Sequence, residues 1–159
     1  MASVDILDLP SQGGKVLIYD LDQPVGPNLP NRRDDVLLVQ YMMREVPKSG
    51  KFKPEPFPAP LIVDGMPGPG LFANIKHFQH LQKQRLEGKH SATDGRIDPI
   101  PSTSAISTTG VQYNMVTLNL AFQVSRPGDY PLMAAANDCP NELRPKVTPK
   151  FLVNLSPAA

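Results

Sequence analysis

Two carboxylates draw the eye because each is followed by glycine, at Asp64-Gly65 and Asp94-Gly95. A pair of acids can divide the work of general acid and general base when their environments push their proton affinities apart. The same dipeptide is also a turn, in which the carboxylate accepts backbone N–H bonds and glycine supplies a positive φ. The turn reading is the stronger of the two. His77 and His80 stand three residues apart with His90 beyond, the start of a zinc ligand set. Zinc needs three or four convergent ligands, and neither cysteines nor a tight acidic cluster complete them, so no metal is expected. Hydroxyls crowd Ser102-Thr-Ser-Ala-Ile-Ser-Thr-Thr109 with no His/Asp arrangement to activate one, and that stretch reads as a loop. The single cysteine, Cys139, lacks a basic neighbour within several residues to hold a thiolate and reads as inert. Lys76, Lys83, Arg85 and Lys89 stand against Glu87 alone. Such a run can attract an anionic polymer, or simply form the solvated face of a helix. Neither catalysis nor a cofactor is expected from this inventory.

Composition narrows the classes further. Sixteen Lys and Arg against 15 Asp and Glu leave a net charge of +1 over 159 residues, against a strongly basic nucleic-acid binder. The apolar runs are only a few residues long, too short for a bilayer span, so no membrane contact is expected. The opening Met1-Ala-Ser-Val-Asp-Ile-Leu-Asp carries acids where a signal peptide needs a basic segment. The expectation is a cytoplasmic chain, or one exported without a cleavable signal, for instance on a particle. Proline is the outlier at 19 residues, roughly 12% where about 5% is usual.

Proline also shows where helices can stand, since it is costly inside one. Three proline-free windows matter, at 31–46, 70–98 and 102–126. In the first, Val36, Val39, Met43 and Val46 recur at helical spacing, with Asn31 or Asp34 as a cap and Pro47 as the stop. In the second, Leu71, Ile75, Phe78 and Leu81 do the same, with Gly88 as a C-terminal stop. Between them the segment 47–60 is so rich in proline that it must be extended or polyproline-like. The third window is ambiguous. Val111, Met115, Leu118 and Phe122 fit a helix, whereas Val116, Leu118, Leu120, Phe122 and Val124 alternate as in a half-buried strand. Lys15-Val-Leu-Ile-Tyr19 and Lys150-Phe-Leu-Val-Asn154 read as short strands that could pair, and Pro140-Asn-Glu-Leu-Arg144 as a helical turn capped by Asp138.

Taken together, Val36-Leu-Leu-Val39-Gln40-Tyr-Met-Met43, then Val63-Asp64-Gly65-Met-Pro-Gly68-Pro69, then Ile75-Lys-His-Phe78-Gln79, then Asp94-Gly95 form an ordered set. It resembles the peptidoglycan-binding-like domain, a small three-helix module found beside many cell-wall hydrolases. The match runs from about residue 34 to 122. Leu71, Asn74 and Asp98 depart from the family pattern, and the linker 47–60 and the stretch 100–110 are enlarged. The resemblance implies that 113–119 belong to a third helix, against the alternation. It implies a mainly α fold: a three-helix core over 31–125 with a proline-rich insert at 47–60. An N-terminal extension, 1–30, with a short strand and a proline-rich C-terminal extension, 126–159, would flank it.

What the resemblance implies for function is a non-enzymatic module that binds peptidoglycan or another cell-wall polymer. The site would lie by the second Asp-Gly turn, with Asp94, Arg96 and Lys76 as the contacting residues. The bland alternative for Arg96 is a surface ion pair with Asp98. The alternative function is a structural or adaptor subunit of a larger assembly, such as a phage tail or contractile injection particle, its terminal extensions making the protein contacts.

Overall fold

Pro30 and Pro47 bracket the first helix, α1 (Arg33–Met43), in a computed structural model that describes residues 2–9, 14–86, 93–100 and 113–149. Asp34 and Asp35 lie in its first turn, where acids suit the helix dipole. No side chain caps it, however. Asn31 instead folds back, its Oδ1 accepting from Gly26 N and its Nδ2 donating to the carbonyls of Gly26 and Leu29. Asp34 accepts from Ala2 N at 2.7 Å. The fully buried Asp35 takes the amides of Asp22 and Gln23, at 3.0 and 3.1 Å, which locks the entry loop onto the helix.

Helix α2 (Pro69–Arg85) starts on a proline, whose missing N–H costs nothing at that position. Its expected stop, Gly88, lies outside the described residues. Helix α3 (Asn114–Ser125) occupies the ambiguous third window. Met115, Thr117, Leu118, Asn119, Ala121 and Phe122 are each no more than 1% exposed, so this helix is buried on almost every side. Its alternation imitates a strand because polar Thr117 and Asn119, both buried here, interleave with apolar residues. Two 3-10 turns meet across Leu132 in the segment Tyr130–Ala135, which makes the described fold mainly helical.

Strands β1 (Ser3–Leu9) and β2 (Gly14–Asp20) form a two-stranded antiparallel sheet in which Ser3 faces Asp20 and Leu9 faces Gly14. β2 is the strand expected at 15–19. Its partner is β1, and the other expected partner, 150–154, lies outside the described residues. Asn119 of α3 grips this strand like a neighbouring chain, accepting Tyr19 N at 2.9 Å and donating to Tyr19 O at 2.8 Å. The Tyr130 hydroxyl donates to Leu17 O and meets Asn119 Oδ1, while the Tyr19 hydroxyl donates to Tyr130 O and accepts Met133 N.

The expected core residues Val36, Val39, Met43, Ile75, Phe78 and Leu118 are all buried together. Each such side chain contributes roughly 1.5–3 kcal/mol by leaving water. Both flanks join the same cluster through Tyr19, Leu21 and Val25 on one side and Tyr130, Met133, Leu143 and Val147 on the other. The turn at Pro140 is present, with the amides of Leu143 and Arg144 donating to Pro140 O. Asp138 does not cap it. Its carboxylate accepts instead from Tyr41 Oη, Arg44 Nη2 and both terminal nitrogens of Arg126, tying the C-terminal segment to α1 and α3. The Arg126 bonds hold the Asp138 carboxyl well below the usual carboxylate range. Among the described residues, no helix is long and apolar enough to cross a membrane.

Candidate functional site

Both Asp-Gly turns are built by one device used twice. Gln40, buried on α1, accepts the amides of Asp64 and Gly65 on its Oε1, at 3.1 and 2.8 Å, and donates from Nε2 to Asp64 Oδ1 at 3.0 Å. Gln79, buried on α2, accepts Gly95 N at 2.8 Å and donates to Asp94 Oδ1 and Arg96 O at 3.2 and 2.9 Å. In each turn the aspartate Oδ1 also takes the amide two residues on, from Met66 at 2.9 Å and from Arg96 at 3.1 Å. Gly65 and Gly95 sit at φ of +72° and +79°, a region open to glycine at little cost. A glutamine suits this task because its side-chain amide offers an acceptor and two donors, enough to satisfy a turn turned away from water. The Asp64 carboxyl is held below its ordinary range, first by the Met66 amide and then by Gln40.

The two turns differ in what lies beside them. At the second, Asp94, Arg96 and Lys76 do come together around Gly95. The Lys76 Cε stands 3.0 Å from where a Cβ on residue 95 would be, so the lysine stem covers the turn. The Arg96 guanidinium is already occupied, with Nε at 3.0 and 3.1 Å from the two carboxylate oxygens of Asp98 and Nη2 at 2.7 Å from one of them. That is the surface ion pair set out as the bland alternative. Ile97 then pairs with Val25 as an antiparallel bridge that closes this side of the turn.

At the first turn the surface opens. A cleft of about 230 Å³ runs between α1, the N-terminus of α2 and the segment 59–68. Met43, Leu61 and Leu71 give it apolar walls, and Gln40, Asp64 and Asn74 give it polar edges. Exposed Ile62 and Met66 flank its mouth, at 57% and 61% exposure.

One wall is the end of the proline-rich linker. From residue 55 to 64 exposure alternates strictly, odd positions turned inward and even positions outward. That is the two-residue period of an extended strand rather than the three-residue turn of polyproline. Glu55, Phe57, Ala59, Leu61 and Val63 face the helices, and Pro56, Pro58 and Pro60 face solvent. Side chains of α2 hold this strap in place. Asn74 accepts Ala59 N at 3.0 Å, the Phe57 ring meets His77 edge-on at 4.9 Å, and His80 Nε2 lies 3.8 Å from Glu55 Oε2.

Compared with protein-family models, curated proteins and solved structures, the chain finds no match.

The histidines raised as ligand candidates therefore have structural work: His77 and His80 face the strap, and His90 lies outside the described residues. Arg85 is half-buried above the Phe52 ring at 5.7 Å, which removes it from the basic face. Cys139 is buried, and burial pushes its thiol up to about 11, so it stays protonated near neutral pH. The cleft was not expected from the sequence, although prolines at 54, 56, 58 and 60 carry a readable signal. Alternate prolines in an extended chain all fall on one face, and the pattern stops where the cleft begins.

Proposed function

We propose that the chain is a non-catalytic module that binds peptidoglycan or a related cell-wall polymer. The observation that carries the reading is the repeated glutamine-clamped Asp-Gly turn on α1 and α2, joined to the ordered set of motifs that resembles the peptidoglycan-binding-like domain. Gln40 and Gln79, which that pattern singles out, are the two residues on which the turns hang. Asp64 and Asp94 spend their Oδ1 atoms on turn geometry, which suits recognition better than proton transfer. Sedimentation with insoluble peptidoglycan tests the reading. The protein should pellet with the wall in a saturable manner, and a protein that stays in the supernatant at every wall concentration would overturn it.

A second reading, a structural or adaptor subunit, is favoured by the β1–β2 ribbon. Among the described residues the sheet has two strands, the outer edge of β2 being covered by Asn119 and Tyr130, and a ribbon of this kind can take a further strand from a neighbour alongside β1. Molecular mass at increasing concentration separates the two. Growth into larger species indifferent to added wall supports the subunit, and a monomer that pellets with wall supports the module.

A further inference from the structure

The strap has an edge with a gap in its proline guard. Residues 56, 58 and 60 are prolines and offer no N–H on the edge they share, but Ile62, next on that edge, does, while Leu61 and Val63 present theirs to the opposite edge. None of their N–H or C=O groups bonds to another described residue, although the chain there is extended and both ends are pinned. Asn74 holds the upstream end at Ala59 and Pro60, and Gln40 holds the downstream end at Asp64 and Gly65. A fixed, extended backbone with free donors and acceptors is what a peptide strand pairs with, and its order is already in place before binding. Below this edge lies the cleft of about 230 Å³, smaller than the usual drug-sized pocket of roughly 300–1,000 Å³ and suited to a short aliphatic side chain.

Charge completes the description. Asp64 at the cleft edge is exposed, and only its Oδ1 is used by the turn. Arg33, a cation beside the turn, donates Nη1 to Asp64 O at 3.0 Å and is otherwise held by Glu142 at 2.6 and 2.9 Å. Asp64 Oδ2 takes no hydrogen bond from another described residue, and the carboxyl, held below its ordinary range by the Met66 amide and Gln40, is an ionised acceptor on an exposed residue.

We propose that residues 61–63, with the cleft and Asp64, form a docking edge for an extended peptide that carries a small aliphatic side chain beside an amine. Under the wall-binding reading, on which this rests, the module takes the peptide portion of the polymer and not its sugars. A bare glycan offers neither a backbone strand for the edge nor a cation for Asp64.

The test uses three probes from one source: intact peptidoglycan, the same material freed of its peptides by an amidase, and the soluble peptides so released. The wild-type protein should pellet with intact wall, bind the released peptides by titration calorimetry, and hold the stripped glycan at least about tenfold more weakly. Asp64→Asn keeps the Oδ1 acceptor of the turn and should weaken peptide binding several-fold, with only a small fall in melting temperature that leaves the protein fully folded under the assay conditions. Ile62→Pro extends the alternate-proline pattern by one outward position and should also weaken it. Should Ile62→Pro fail to fold, Asp64→Asn decides alone. Equal pelleting with stripped glycan overturns the peptide assignment and leaves wall binding standing. No pelleting with intact wall overturns the wall reading and this assignment with it. Undiminished peptide affinity in Asp64→Asn removes the carboxylate from the site.

Discussion

The two Asp-Gly turns share a construction and part company at their borders. Each hangs from one buried glutamine through matching hydrogen bonds, yet the first faces a cleft and the second is sealed by Lys76, the Arg96–Asp98 pair and the Val25–Ile97 bridge. The motif itself therefore specifies a rigid corner, not a binding site. Whether a corner can bind is settled by what packs beside it, here an extended strap on one side and a closed bridge on the other.

The largest effect should come from removing what both turns depend on. Phe78→Ala empties a fully buried position on α2, against Phe52 at 6.0 Å, and should cost about 3–5 kcal/mol in chemical denaturation. A variant that unfolds like the parent would show that the two turns do not share this core.

Next come the clamps. Gln40→Ala and Gln79→Ala each leave turn amides without their partner and should cost about 1–3 kcal/mol by the same measurement. The second turn is the drier, Gln79 being 1% exposed against 5% for Gln40, so Gln79→Ala should be the costlier. The reverse order would mean that the cleft side is the better shielded.

Acid should act on the first turn and on the C-terminal clamp in the same direction. Asp64 and Asp138 are both held below their ordinary values, so the stability each adds is fully present above the unfolded carboxylate range near pH 4. It is lost as pH falls from there through the folded values. Asp138→Asn should remove most of that acid dependence from melting curves and lower stability by about 1–2 kcal/mol at neutral pH, a figure reduced for its half-exposed carboxylate. Melting curves that keep their full acid dependence in this variant would place the sensitive group elsewhere.

Arg96→Ala should do least. Its ion pair is exposed, so the melting temperature should not move, and wall pelleting should persist. Lost pelleting at unchanged stability would transfer recognition to the second turn, where the sequence reading located it.

Much of this was written in the chain. Val36, Val39 and Met43 marked α1, and Ile75 and Phe78 marked α2, because these apolar positions at helical spacing all pack into the core; only α2 also shows a face to water, α1 being buried from Asp35 to Met43. α3 was not legible by period, since Thr117 and Asn119 interleave with apolar residues as on a strand although both are buried, Asn119 being spent on Tyr19. Arg96 was a sound candidate by residue type, and its pairing with Asp98 was the alternative set beside it; the choice between the two depends on a turn geometry that type alone does not convey. The docking edge was hidden for another reason. Unpaired backbone has no residue signature, and here only the end of an alternating proline series hinted at it.

The gripping of β2 by Asn119 and Tyr130 has a consequence for biosynthesis. Tyr19 leaves the ribosome early, but its backbone and hydroxyl partners lie 100 to 114 residues later. Leu143 and Val147, later still, belong to the same cluster. Contacts so distant in sequence impose a slow search and reward the chain only when its far end arrives. The N-terminal ribbon must therefore wait, unpaired with its helix, until nearly all of the polypeptide has been made. Truncation before residue 119 would remove both the backbone and the hydroxyl partners of Tyr19, truncation between 119 and 130 would leave Asn119 alone to hold it, and translation that stalls in the last fifth of the message should yield a product open to proteases.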